Sequence, residues 1–228
     1  MRIGGLQKLT LLDYPGHVAC TIFTHGCNFR CPFCHNSLLV NKPPEDLLPP
    51  EEVLDFLKGR RGILDGVAIT GGEPLIQEDL SDFISRIKDM GYQVKLDTNG
   101  SFHEKLEQLI VSGLVDYVAM DVKNSPERYG ETSGNHFIYQ NVDRSIDLLL
   151  QGKIPYEFRT TAVRELHTPE DFRRIGARIS GAQRYFIQCF KDSDNILRPG
   201  LSAPTQDQLK EFLAAAREHV PAAELRGV

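Results

Sequence analysis

Three of the five cysteines in this 228-residue chain fall within one short run, Cys27-Asn28-Phe29-Arg30-Cys31-Pro32-Phe33-Cys34. The other two, Cys20 and Cys189, stand apart. Thiolates gathered in a tight loop can hold zinc or an iron–sulfur cluster. A structural zinc site asks for four ligands, usually two to four residues apart. The nearby candidates for a fourth are His35, directly after Cys34, and His25. Adjacent side chains diverge, which disfavours Cys34 with His35, whereas His25 would complete a Cys3His set. A four-iron cube held at three corners instead leaves one iron without a protein ligand. Such an open position can bind a substrate directly.

Those thiols must be positioned by elements, and the chain alternates short β-rich runs with amphipathic stretches. Strands are expected at 17–24, 66–70, 93–97, 117–121, 156–161 and 185–189, with a further short strand at 223–226. Helices are expected from about Pro50, then over 78–90 and about 103–112, 141–151, 169–179 and 205–218. The helix after Pro50 places Val53, Leu54 and Leu57 on one face, and the next places Leu80, Phe83, Ile84 and Ile87 likewise. A proline-rich connector over 42–50 separates the cysteine run from the first of these helices. Strands alternating with helices imply parallel pairing with right-handed crossovers. Six clear units are too few for a full eight-unit barrel. The expected fold is therefore α/β, an incomplete (β/α)6 barrel spanning 1–228 as one domain, with a flat doubly wound sheet as the alternative. Glu73, Asp97 and Asp121 recur at an even interval, each at or just past a strand end. In a parallel βα fold these ends share one rim with the loop that follows the first strand. Three thiols and several carboxylates would then face one mouth.

The spacing Cys27-x-x-x-Cys31-x-x-Cys34, with Phe33 before the last cysteine, resembles the signature of the radical S-adenosylmethionine (radical SAM) enzymes. Gly71-Gly72-Glu73-Pro74 resembles that superfamily's GGE element, although alone it would pass for an ordinary βα turn. Cys34-His35-Asn36, Asp97-Thr98-Asn99-Gly100 and Asp121-Val122-Lys123 resemble the CHN, DTNG and DxK elements of enzymes that activate glycyl radical enzymes. Asp13-Tyr14-Pro15-Gly16 resembles a DxPG lead-in of the same group. The matches run from about residue 5 to 125, and the branch most resembled is that of anaerobic ribonucleoside-triphosphate reductase activating proteins.

The resemblance implies that Cys27, Cys31 and Cys34 ligate a [4Fe–4S] cluster whose fourth iron is chelated by the methionine end of SAM. It implies one-electron cleavage of SAM to a 5′-deoxyadenosyl radical, which takes a Cα hydrogen from a glycine of a partner glycyl radical enzyme. A low-potential donor such as flavodoxin or ferredoxin would supply the electron. It further places Gly71, Gly72 and Glu73 at the methionine ammonium and Phe33 near the adenine. Asp121 and Lys123 fall at the ribose hydroxyls and carboxylate, and Arg159 faces the cofactor. Asp97, Thr98 and Asp121 are implied as the holders of a monovalent cation. Simple packing for Phe33 and helix capping for Thr98 and Asn99 are the plainer readings. Relatives of the pyruvate formate-lyase type carry a histidine where this chain has Gln188-Cys189-Phe190-Lys191. Longer relatives insert extra cysteines between the cluster loop and GGE, and this chain has none there, so a single cluster is expected. Cys20 and Cys189 are expected in the core. A small-molecule radical SAM enzyme, such as the 7-carboxy-7-deazaguanine-forming branch, shares the cluster and SAM motifs. The CHN, DTNG and DxK elements point away from it. The polar stretches 124–140 and 191–204 follow strand ends on the cluster rim and are expected to shape partner docking.

Composition agrees with a globular chain: 41% hydrophobic, 25% charged, net charge −5. The basic runs at 58–61 and 173–178 sit in helical patterns, so no nucleic-acid partner is expected. No apolar run approaches the roughly 20 residues of a membrane helix. No signal peptide is read at the N-terminus, and the odd, clustered cysteines suit a reducing cytoplasm.

Overall fold

A computed structural model describes residues 1–41, 47–192 and 196–227. The eight strands of the described residues belong to one sheet in sequential order. Strand β1 (Ile3–Thr10) pairs antiparallel with β2 (Ala19–Thr24), and the pair is followed by the short helix α1 (Ser37–Asn41). Then come α2 (Pro50–Lys58), β3 (Gly66–Gly71), α3 (Leu80–Asp89), β4 (Gln93–Thr98), α4 (His103–Val111) and β5 (Tyr117–Asp121). The chain continues through α5 (Tyr129–Ser133), α6 (Tyr139–Leu150), β6 (Tyr156–Ala162), α7 (Pro169–Arg178), β7 (Tyr185–Cys189), α8 (Gln206–Arg217) and β8 (Ala223–Arg226). From β2 to β8 every neighbour is parallel.

The strand sequences explain the sheet's place. ACTIFT and GVAITG are almost wholly buried, as parallel strands covered on both faces must be. Helices α2 and α3 turn Val53, Leu54, Leu57, Phe83, Ile84 and Ile87 onto the sheet. Helices α7 and α8 begin on capping boxes, Thr168 with Asp171 and Thr205 with Gln208, which fix where the last two crossovers start.

Eight strands laid flat would span roughly 34 Å at about 4.8 Å per gap. Here Asp13, from the β1–β2 connection, and Arg226, from β8, line the same cavity, so the sheet curls until its ends approach. No ladder joins β8 to β1 among the described residues, and the sheet is not closed. The expected incomplete barrel is thus borne out, and the short strand at 223–226 is its last member.

Strand β1 was not foreseen. Its sequence IGGLQKLT has no clean alternation, and its pairing with β2 carries two register shifts. The Asp13–Gly16 lead-in lies in the eight-residue connection before β2, at the N-terminal strand ends and opposite the cysteine rim. There Tyr14 is buried against His17 and Tyr117, and the Thr21 hydroxyl donates to Asp13 Oδ2 at 2.5 Å. It plugs the bottom of the barrel.

Residues 124–140, expected as a polar stretch that shapes partner docking, are largely folded. Pro126–Arg128 form a 3-10 turn that runs into α5, whose Tyr129, Thr132 and Ser133 are buried. Of the other expected segments, residues 42–46 in the proline-rich connector and 193–195 in the 191–204 stretch lie outside the described residues.

Candidate active site

The loop after β2 carries Cys27, Cys31 and Cys34 into a cavity of about 230 Å³ at the C-terminal strand ends. Its wall also includes Phe33, Gly71, Gly72, Asp97, Thr98, Asp121, Lys123 and Arg159. Eleven of the twelve residues singled out from the sequence therefore share one mouth. Thr161 and Gln188 join them from β6 and β7.

Burial pushes the Cys27 thiol up to about 11 and the Cys31 thiol up to about 12, against the pull of Lys123. Cys34 is raised by burial too. Unliganded thiols here stay protonated, and a bound cation would be needed to make them thiolates. Among the described residues no three His, Cys, Asp or Glu side chains gather tightly enough to hold one metal ion. The three sulfurs instead line a shared cavity, the disposition that suits a cluster taking one thiolate per iron. The ring of His35 lies on Phe190, with centroids 5.4 Å apart.

The cysteine loop is fastened on three sides. Arg30 N donates to Ser133 O of α5 at 2.8 Å, and Gly134, with φ +69°, packs directly on Arg30. Asn28 donates to Ser101 Oγ at 2.8 Å and accepts from Asn99 at 3.0 Å, tying the loop to the turn after β4. Asn36 Nδ2 donates to Gly71 O at 3.2 Å. Its place beside the cysteines in the CHN element thus has a local structural reason.

The two glycines of the GGE turn have a structural cause of their own. A Cβ on Gly72 would stand 1.9 Å from Gly26 O, and one on Gly71 would meet Thr24 N at 2.4 Å. These are backbone atoms and cannot step aside. The glycines are demanded by the close approach of the cysteine loop's stem, with Glu73 N donating to Gly26 O at 2.8 Å.

Glu73 itself departs from expectation. Its carboxylate is fully buried and is not part of the cavity wall. It accepts from Leu75 N (3.1 Å), Thr98 Oγ1 (2.8 Å) and Asn99 N (2.7 Å), clamping the end of β3 to the end of β4. Burial raises its pKa to about 7, although all three donors favour the charged form. The chain's GGE turn therefore offers the cavity its backbone, and the glutamate side chain works behind it.

At the far wall, charges alternate across three strands. Asp121 and Arg159 are paired positions on β5 and β6. Arg159 Nε donates to Asp121 Oδ1 at 2.8 Å, and its Nη1 reaches over β5 to Asp97 Oδ2 at 3.1 Å. Lys123 Nζ donates to Asp121 Oδ2 at 2.8 Å, and Lys95 Nζ donates to Asp97 Oδ1. Burial works to raise both carboxyls, but Arg159 and its lysine partner in each case hold them below the usual carboxylate range. Lys95 was missed in the sequence. A lysine inside the buried strand QVKLDT, on the face of Asp97, was the available signal. Lys123 also stands 5.9 Å over the Phe33 ring, whose edge meets His167.

Cys20 is fully buried, as expected. Cys189 is not: it is half-buried and lines a side cavity with His35, Thr161, Gln188 and Lys191. It stands at the end of β7, where the strand emerges from the core.

The radical SAM superfamily model matches residues 21–177. A candidate glycyl-radical enzyme activating enzyme of Methanocaldococcus jannaschii is 32% identical over 235 residues, covering 99% of this chain and 96% of that protein. The pyruvate formate-lyase-activating enzyme of Clostridium pasteurianum is 32% identical over 128 residues, 54% of this chain and 52% of its own length. Among solved structures, a radical SAM methyltransferase from Sphaerobacter thermophilus superposes with a TM-score of 0.70 over 93% of this chain and 67% of that one. At 12% identity it speaks for the fold alone. Three cysteines on the rim of an open parallel barrel, together with these matches, place the chain in the radical SAM superfamily.

Proposed function

We propose that this radical SAM enzyme is an activase that removes a Cα hydrogen from a glycine of a partner glycyl radical enzyme, anaerobic ribonucleotide reductase in the first instance. The observation that carries the reading is the end-to-end match with the M. jannaschii candidate activating enzyme, which leaves almost none of either chain unaccounted for. The CHN, DTNG and DxK elements support it, since all three meet at the cavity.

Membership of the superfamily implies a [4Fe–4S] cluster and SAM as cofactors. Together, when bound, these supply a primary carbon radical from one electron and a sulfonium. This chain's residues provide the holding. Cys27, Cys31 and Cys34 would ligate the cluster. The cavity-lining backbone of Gly71–Gly72 would receive the SAM ammonium. The Lys123–Asp121 pair and Arg159 would face its carboxylate and ribose, with Phe33 as the apolar wall. Thr98 is shared: its hydroxyl donates to Glu73 while accepting from Gly100 N, so it stiffens the wall it lines. A low-potential flavodoxin- or ferredoxin-like protein would be the electron source.

Anaerobically reconstituted, reduced protein mixed with SAM and anaerobic ribonucleotide reductase should yield a glycyl radical doublet by EPR. SAM cleavage without any doublet, across this and a pyruvate formate-lyase-type partner, would overturn the activase reading and leave a small-molecule radical SAM enzyme.

A further inference from the structure

The resemblance implied a monovalent cation held by Asp97, Thr98 and Asp121, and the site does not fit one. An alkali ion bridging two carboxylates needs their oxygens. Here each of the four already accepts from a cationic nitrogen, Asp97 from Lys95 and Arg159 and Asp121 from Arg159 and Lys123, so three positive side chains face two carboxylates and a further cation would enter a site that is already net positive. The Thr98 hydroxyl, the third implied ligand, donates to Glu73 Oε1 at 2.8 Å and accepts from Gly100 N at 3.1 Å, which leaves it a single lone pair. We propose that the Arg159 guanidinium, bridging Asp97 Oδ2 and Asp121 Oδ1, is this enzyme's built-in substitute for an alkali cation, and that the site works without one.

Geometry makes the substitution specific to this position. Asp121 and Arg159 are register partners, so a short reach carries the guanidinium over β5. β5 lies between β4 and β6, and only a long planar cation starting on β6 can span to Asp97 while touching Asp121 on the way. A lysine would serve one carboxylate as a point charge and not both as a fork. The residue is sheltered, with 13% of its side chain exposed, against 15% for Asp97 and 28% for Asp121. Two carboxylates this close to one another would repel without a cation between them. The guanidinium fills that need permanently, whereas an alkali ion exchanges with solvent and its occupancy follows salt composition. Besides facing the cavity, Arg159 holds Asp97 and Asp121 in place for the ligand that the cavity takes.

The test is thermal melting of the chain at constant ionic strength in lithium, sodium, potassium, caesium and tetramethylammonium chlorides, first without cluster or SAM. That arm depends neither on the activase reading nor on activity. The wild-type melting temperature should be the same across the series. Arg159→Met should melt lower, by roughly 10 °C for loss of a sheltered bridging charge. It should then gain an ion-size-selective dependence, one alkali ion recovering part of the loss that tetramethylammonium does not. A second arm measures SAM affinity of the reconstituted protein in the same salts, where wild type should not discriminate between sodium and potassium. An ion-selective shift in wild type, in either arm, overturns the proposal. So does an Arg159→Met protein that folds yet responds to all five salts alike. Should Arg159→Met not fold, the wild-type series still decides.

Discussion

Glu73 sits where a glutamate has the least water, and its titration should be visible in the stability of the whole chain. Burial lifts its pKa from an ordinary 4.5 to about 7, so between those values the folded state holds a proton that the unfolded state has released. Stability should then fall as pH rises through that window, by roughly 3 kcal/mol in all, and flatten above it. Asp97 and Asp121 work in a lower window with the opposite sign. Their pKa values are depressed, so the stability they add is present above the ordinary carboxylate range and is lost as pH falls below it. Denaturant unfolding from pH 4.5 to 8 checks the first claim. Glu73→Gln should remove the slope and cost about 1–3 kcal/mol, because an amide nitrogen cannot accept from Asn99 N. A slope that survives the substitution would assign it to another group. Gly72→Ala should be worse, roughly 3 kcal/mol or more, since its new methyl would meet the Gly26 carbonyl. Melting of the cluster-free protein would separate that effect from cluster loss.

At the scale of elements, the parallel strands were legible because burial on both faces leaves little but apolar residues, as in GVAIT and YVAMD. Strand β1 was not. Gly4 and Gly5 interrupt its pattern, and it takes its conformation from pairing with β2 rather than from its own residues. Residues 124–140 misled in the other direction. Pro126, Gly130 and Gly134 punctuate the segment like a loop, yet Tyr129 buries its ring against Phe29 and Tyr139 and draws the chain into helix. Because Ser133 and Gly134 brace Arg30, shortening this segment would damage the cluster loop itself. The better probe of docking is Phe137, a residue 97% exposed at the segment's outer turn. Phe137→Ser should leave melting and partner-free 5′-deoxyadenosine formation unchanged while lowering partner activation about tenfold, the effect of one lost aromatic anchor. Equal activation by both proteins would remove 124–140 from the docking surface.

For the whole molecule, the site was more legible than the reasons for it. Spacing placed cysteines, carboxylates and glycines on one rim, but could not say that Glu73 faces away or that Arg159 spans two aspartates. Those facts depend on which strands become neighbours and how far the sheet curls. The expectation of one cluster is tested by composition: about four irons per chain after anaerobic reconstitution. Cys20→Ala and Cys189→Ser should keep them, whereas Cys31→Ala should lose them. A content near twice that would require ligands outside the run 27–34. The contact between Gly72 and Gly26 has an implication for building new enzymes from this scaffold. The stem of the cysteine run and the turn after β3 interlock, backbone on backbone, so neither can be exchanged alone. A graft that moved residues 24–36 into another barrel without 71–73 would inherit a mismatch at its most crowded joint. Protein engineers should treat the two stretches as a single cassette.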